Sequence, residues 1–254
     1  MLYSCQPAVQ PDQIGDDEAR ASLRPGRDNP KMRLLTVSDK VEPVLYGPYI
    51  RERVGKIDLI LACGDVPYYY LEYIVALLDA PLYFVHGNHD KAVEPASDGV
   101  HAAFDWAENL HTRTCNCQGL LLAGLEGCRA YNPRAPFQYT ERDVKFQTMR
   151  LGQRLLMNRI RYGRYLDVLI THAPPRGIHD GNDLPHRGFE GYLAFLRRYR
   201  PLLMVHGHQH VYNRNETTES DYEGTRIVNT YGYRVIELAP RSGGPGWELV
   251  GSSG

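Results

Sequence analysis

Long apolar runs are missing from this 254-residue chain, and so is any dense block of one charge. No stretch approaches the roughly 20 apolar residues that a bilayer-spanning helix needs. The N-terminus lacks the apolar core of a secretory signal, so neither a membrane partner nor secretion is expected. Cys5 follows no such core, which counts against a lipid anchor. Basic and acidic residues nearly cancel at 29 and 30, with no Lys/Arg run to track a phosphate backbone, so nucleic acid is not an expected partner. Cysteines number five, an odd set. Cys63 lies inside an apolar run and reads as a buried small residue. Cys115 and Cys117 are too close together to define a zinc site without a second pair, and Cys128 follows Gly127. A reduced, cytoplasmic compartment is the plain reading.

The ends differ from the middle. Residues 1–31 are rich in Pro, Asp, Arg and Gln without apolar periodicity, and are expected to form a flexible leader. Residues 241–254 are Gly- and Ser-rich and are expected to form a loose tail. Between them, residues 32–240 alternate β and α patterns and suffice for a substantial core. Strands are expected over 33–37, 59–63, 82–86, 119–123, 168–170 and 202–205. Helices are expected over 48–54, 70–78, 140–160 (Thr140 as N-cap) and 189–198. Residues 226–229 and 233–238 read as strands of one hairpin. Alternation alone supports an α/β class.

What the chain does have is a polar cluster after each apolar run. Ser38-Asp39, Gly64-Asp65, Gly87-Asn88-His89-Asp90, Thr171-His172 and His206-Gly207-His208-Gln209-His210 each follow a β-type segment. In α/β proteins the C-terminal ends of neighbouring strands converge on one rim, where ligands bind. Two aspartates, one asparagine and three histidines gathered there form an oxygen/nitrogen donor set suited to Mn, Fe, Zn or Co.

Order, spacing and strand context of these clusters, from about Met32 to Leu238, resemble the calcineurin-like metallophosphoesterase superfamily. A lone Gly-Asp is weak, being a common turn dipeptide; GNHD, GHxH and the ordered Asp and His together are specific. The resemblance implies a four-layer α/β/β/α sandwich and two divalent or trivalent transition-metal ions (Mn, Fe or Zn). It implies Asp65 as the bridge between ions, Asn88, His172 and His208 on the second, and Asp39 and His210 on the first. The i, i+2 spacing of His208 and His210 suits an extended loop, so that one imidazole serves each ion.

One departure stands out. The superfamily usually carries Asp-x-His at the first strand, whereas this chain has Asp39-Lys40-Val41. Valine offers no donor, so the first ion lacks a ligand. Gly64-Asp65-Val66-Pro67-Tyr68 is similar to the GDxxY motif of purple acid phosphatases, which also lack that histidine, and this similarity implies Tyr68 as the replacement. Tyrosine ionises near pH ~10, so phenolate binding needs a strongly acidic ion such as ferric iron. Glu42, water, or simple packing of Tyr68 are the competing readings.

The resemblance further implies hydrolysis of a small phosphomonoester or phosphodiester by a hydroxide bridging two ions. His89 is the expected proton donor to the leaving group. Asp90 either orients His89 or caps the following turn. Arg129 is a candidate phosphate grip, against a surface salt bridge, and Tyr131 and Asn132 are candidate pocket walls. A nuclease on the same centre, or a catalytically inert scaffold on this fold, are the alternatives. Substrate identity and oligomeric state are not legible in the residues.

Overall fold

The computed structural model describes residues 31–91, 93–96, 99–102, 107–132, 134–213, 215–242 and 244–253. Apart from Lys31, the expected leader lies outside the described residues. Sixteen strands and four helices alternate among the described residues. In chain order they begin with β1 (Met32–Ser38), α1 (Ile50–Val54), β2 (Leu59–Ala62), α2 (Tyr68–Leu78) and β3 (Leu82–Phe84). A small hairpin, β4 (Val93–Ala96) and β5 (Gly99–Ala102), precedes β6 (Glu108–Asn109), β7 (Thr114–Cys117) and β8 (Leu120–Leu125). The short pair β9 (Cys128–Arg129) and β10 (Gln138–Tyr139) leads into α3 (Glu141–Tyr162) and β11 (Val168–Thr171). Then come α4 (Glu190–Tyr199), β12 (Leu203–His206), β13 (Glu219–Tyr222), β14 (Thr225–Asn229), β15 (Gly232–Pro240) and β16 (Trp247–Ser253).

Two six-stranded sheets form, with orders β16-β15-β1-β2-β3-β6 and β13-β14-β12-β11-β8-β7. Central strands such as β2 and β8 are apolar throughout because both faces are covered. On β2, Leu59 and Leu61 face the core between the sheets, meeting Leu122, Ile170 and Val205 of the second sheet. Ile60 and Ala62 point the other way, into a core shared with Ile50, Ile74 and Leu78 of α1 and α2. The second sheet is covered in the same manner: Leu151 and Leu155 of α3 and Phe195 and Leu196 of α4 pack on Ala123, Leu169 and Met204. The result is the expected four-layer α/β/β/α sandwich. Truncating one of these fully buried leucines to alanine is worth about 2–5 kcal/mol.

Helix α3 starts where its sequence says it should. Thr140 Oγ1 accepts from the Asp143 N–H, and the Asp143 carboxylate returns the bond to the Thr140 N–H, a reciprocal capping box.

Two expectations fail. Residues 226–229 and 233–238 are not a hairpin: β14 pairs with β12 and β13 in the second sheet, whereas β15 pairs with β1 and β16 in the first. The chain crosses between sheets at Thr230–Tyr231, and each strand finds its apolar partners in a different layer. The closing segment is not loose either. β16 is the edge strand of the first sheet, with Trp247 buried and its indole N–H donating to the Gly119 carbonyl at 3.1 Å.

Candidate metal centre

The polar residues that end β1, β2, β3, β11 and β12 come together on one rim. Backbone bonds knit that rim: Asp39 N–H donates to Gly64 O (3.2 Å), Gly207 N–H to His172 O (3.0 Å), and Gly127 N–H to His86 O across the two sheets (2.8 Å). Asp39, Asp65 and His208 all adopt positive φ (60°, 55° and 68°). Left-handed backbone at non-glycine positions costs about 1–3 kcal/mol each, and such strain concentrates where side chains must be aimed. His208 therefore leaves the extended path expected for a GHxH loop; the kink, not strand alternation, separates it from His210.

The glycines in the motifs have a steric reason. A Cβ on Gly207 would fall 1.7 Å from Ser38 Oγ and 2.3 Å from Asp39 Oδ2, and one on Gly87 would fall 2.0 Å from Asp65 Oδ1. Only a hydrogen fits where these loops cross beneath the carboxylates.

Four donors converge about His172. Its Nε2 lies 3.0 Å from Asn88 Oδ1, 3.1 Å from His208 Nδ1 and 3.4 Å from Asp65 Oδ2. Donor atoms of Asp65, His172 and His208 all fall within 4.8 Å of one another. The far nitrogens of both rings face carbonyls: His172 Nδ1 is 2.7 Å from Cys63 O, and His208 Nε2 is 2.9 Å from Pro185 O. A carbonyl accepts only, so each far nitrogen carries a proton and the two near nitrogens are left to face each other and the carboxylate. Such carbonyl partners fix the tautomer of metal-binding histidines.

The electrostatics call for a cation at this point. Burial works against a proton on His172, yet Asp65, Asp39 and the Cys63 carbonyl lift its pKa to about 9. Burial likewise opposes ionisation of Asp65, but His172 and the His89 N–H bring it down to about 2. Burial and the charge on His172 push His208 down to about 3. The carboxylates of Asp65 and Asp39 thus favour positive charge beside His172.

Asp39 lies alongside. Its Oδ2 accepts from the His208 N–H at 2.8 Å and from Ser38 Oγ, whereas its buried Oδ1 has no hydrogen-bond partner. His210 Nε2 stands 3.9 Å from that oxygen, with the imidazole largely exposed and its Nδ1 at 2.9 Å from Tyr212 Oη. A four-donor cluster with an orphaned carboxylate oxygen and an imidazole next to it fits the binding of divalent metal at this rim.

The remaining expected site residues divide. His89 is exposed at the rim, its N–H held by Asp65 Oδ1 at 2.8 Å. Tyr131 reaches the centre, its hydroxyl 3.3 Å from Asn88 Nδ2. Asp90 does not orient His89: its Oδ2 accepts from the N–H groups of Gly87 (2.8 Å) and Asp65 (3.0 Å), so it clamps two loops together. Arg129 does not face the rim as a phosphate grip. It pairs with Glu141 at 3.1 Å and lies over the Phe189 ring, joining β9 to the starts of α3 and α4. Asn132 is engaged within its own loop, its Oδ1 accepting from the Arg134 N–H at 3.2 Å.

Tyr68 opens α2, packs against the helix-side core, and its hydroxyl donates to the Lys91 carbonyl. A donating phenol is protonated, which is not the phenolate expected from the GDxxY likeness. Val41 packs on the same core, and Glu42 pairs with Lys40 at 2.7 Å, so neither replaces the missing histidine.

Several residues escaped the sequence reading. Asn229, at the end of β14, donates to the Gln209 carbonyl at 2.8 Å and holds the GHxH loop, and the next-but-one residue, Tyr231, sets its ring 4.9 Å from that of His210. Both follow an apolar run, the signal that found the other clusters. His186, which the sequence presents as one more loop imidazole outside the metal set, places its ring 5.0 Å from that of His208. Below the rim, buried Glu126 bonds His86 at 2.8 Å and Tyr139 at 2.6 Å, bracing the strand end that carries Asn88.

A calcineurin-like phosphoesterase family model matches residues 34–212. The chain belongs to that family. A Haemophilus influenzae protein described as uncharacterized is 26% identical over 199 residues, 71% of this chain and 83% of that one. One solved structure aligns with a TM-score of 0.55 at 12% identity, covering 82% of this chain and 95% of its own. The metallophosphoesterase from Sphaerobacter thermophilus aligns at 18% identity and a TM-score of 0.33, covering 87% of this chain and 89% of that one. Of these two structures only the first is near enough to bear on the fold. Family membership supports a hydrolase.

Proposed function

We propose that this protein is a metal-dependent hydrolase of small phosphomonoesters or phosphodiesters, working through two transition-metal ions that share Asp65. The observation carrying this reading is the convergence of Asp65, Asn88, His172 and His208 on one point, with Asp39 Oδ1 unpartnered beside it. Asn88, His172 and His208 would hold one ion with Asp65; Asp39 and His210 would hold the other. When bound, the ions supply a water acidified to near neutrality as nucleophile and positive charge for the phosphoryl oxygens.

The chain's own residues supply the rest. The Cys63 and Pro185 carbonyls accept from the far nitrogens of His172 and His208 and so turn the near nitrogens towards the donor cluster. Asp65 holds the backbone of His89 and so carries that exposed imidazole at the mouth, where it can give a proton to the leaving alkoxide. Tyr131, bonded to Asn88, forms a wall beside the same opening. Near-equal numbers of basic and acidic residues favour a small phosphoester over nucleic acid.

Metal analysis of the purified chain, with aryl mono- and diester assays before and after chelation, tests the reading. About two ions per chain and hydrolysis restored by Mn, Fe or Zn are expected. A folded, metal-loaded protein that cleaves neither ester class overturns it. That outcome assigns the chain to an inert scaffold, a reading favoured by Val41 standing where a ligand is usual.

A further inference from the structure

The 22-residue helix α3 has two apolar faces, and only one is used by the fold. Val144, Leu151 and Leu155 are buried against the second sheet. On the opposite side Phe146, Met149, Leu156, Met157 and Ile160 recur at helical spacing and are 53–71% exposed. Nothing else among the described residues covers them, and α3 belongs to an outer layer, so this crest faces away from the body.

Its charge is one-sided. After Asp143 the helix contains no acidic residue, while Lys145, Arg150, Arg154, Arg159 and Arg161 stand exposed on either flank of the crest. The two acidic residues of the first turn are engaged: Glu141 with Arg129, and Asp143 with Thr140. The face continues onto α4 through a groove of about 670 Å³ walled by Met149, Leu156, Leu193 and Phe195, with Arg197 and Arg198 at its side and Glu190 the acidic member. A chain of net charge −1 has thus gathered a basic rim around an apolar stripe.

We propose that this face seats the protein on an anionic lipid surface, the crest entering the headgroup boundary and the arginines meeting lipid charge. Apolar residues on one side with Lys and Arg at the flanks is the pattern that lies in a membrane interface without crossing it. A second copy of the chain fits less well, because antiparallel crests bring Arg150 and Arg154 of both copies together. No helix among the described residues is long and apolar enough to span a bilayer. The sequence-based expectation of no membrane partner rested on the absence of a span, a signal core and a lipid anchor, none of which bears on surface seating by a helix face.

Sedimentation of the full chain with vesicles tests this. Binding is expected to vesicles containing about 30% phosphatidylserine in phosphatidylcholine, not to phosphatidylcholine alone. It should weaken as salt rises to about 0.5 M. The exposed pairs Phe146→Ser with Ile160→Ser, and Arg150→Glu with Arg154→Glu, should each lower apparent affinity about tenfold or more. Melting temperature and soluble-ester hydrolysis should stay unchanged in both. Failure of the folded wild type to bind anionic vesicles overturns the proposal, as does binding that neither pair weakens. Concentration-dependent dimers abolished by Phe146→Ser with Ile160→Ser, without vesicle binding, assign the face to a second copy instead.

Discussion

Around His172 four donors stand at contact distance, shut away from solvent, with the far side of each imidazole tied to a carbonyl. Around Asp39 the picture is looser: one oxygen is bonded, the other is buried without a partner, and His210 is exposed and 3.9 Å away. The closed half has its donors at contact distance of one another. The open half offers a carboxylate and an imidazole, with Val41 packed in the core where the family usually places a third ligand. The difference teaches that ligand number and preorganisation are unequal between the halves, so their affinities for metal should be unequal too.

The widest test separates the halves by charge removal. Asp65→Asn takes away the carboxylate that the proposed function assigns to both halves, so hydrolysis should fall to background and metal content towards none. Asp39→Asn should also abolish turnover, yet leave about one ion per chain at Asn88, His172 and His208. Metal analysis of the two folded variants reads the outcome. Equal loss of both ions from Asp39→Asn erases the distinction between the halves.

His89 belongs to neither half as a ligand. His89→Asn should therefore keep the metal content of the wild type while kcat drops by about 10²–10⁴. Wild-type turnover in that variant removes the proton-donor role. A variant that instead loses metal moves His89 into the centre itself.

A pH titration probes the closed half without mutation. Against the effect of burial, Asp65 and Asp39 push the His172 pKa in the metal-free protein up to about 9 from the ordinary 6.5. A raised folded pKa stabilises below the unfolded value, and that contribution is lost as pH climbs through the folded one. Denaturation midpoints of chelated protein should thus decline between pH 6.5 and about 9. With metal present the decline should vanish, because the ion takes the place of the proton on Nε2. Asp65, held at about 2 against 3.8, contributes stability above 3.8 that disappears as pH falls towards 2.

The four layers and the rim were legible because β-type apolar runs recur along the chain, and five of them run out into clusters bearing Asp, Asn or His. Periodicity and the Thr140 cap located α3 and α4 to within a residue or two. What one dimension cannot carry is which sheet a strand joins. β14 and β15 look like a hairpin because two residues separate them, and only packing sends them into different layers. Side-chain destination was equally hidden. Arg129 and Asp90 carry the right chemistry in the right neighbourhood, but Glu141 and two backbone N–H groups claim them. The outward stripe of α3 is as apolar as its inward one, so periodicity alone does not tell which face is covered.

The smallest expected effect falls on Tyr68, and it bears on whether the open half is really short of a ligand. If the phenol stays protonated and bonded to the Lys91 carbonyl, Tyr68→Phe removes one hydrogen bond and nothing from the centre. Loss of a single bond of that kind is worth about 0.5–1.5 kcal/mol, to be read as a lowered denaturation midpoint. Metal content and the visible spectrum of iron-loaded protein should not change. A broad absorption band in the wild type that Tyr68→Phe abolishes would mean that the ring swings to the ion on binding. The open half would then have three protein ligands of its own, and the asymmetry argued from Val41 would shrink to a difference in when each half is assembled.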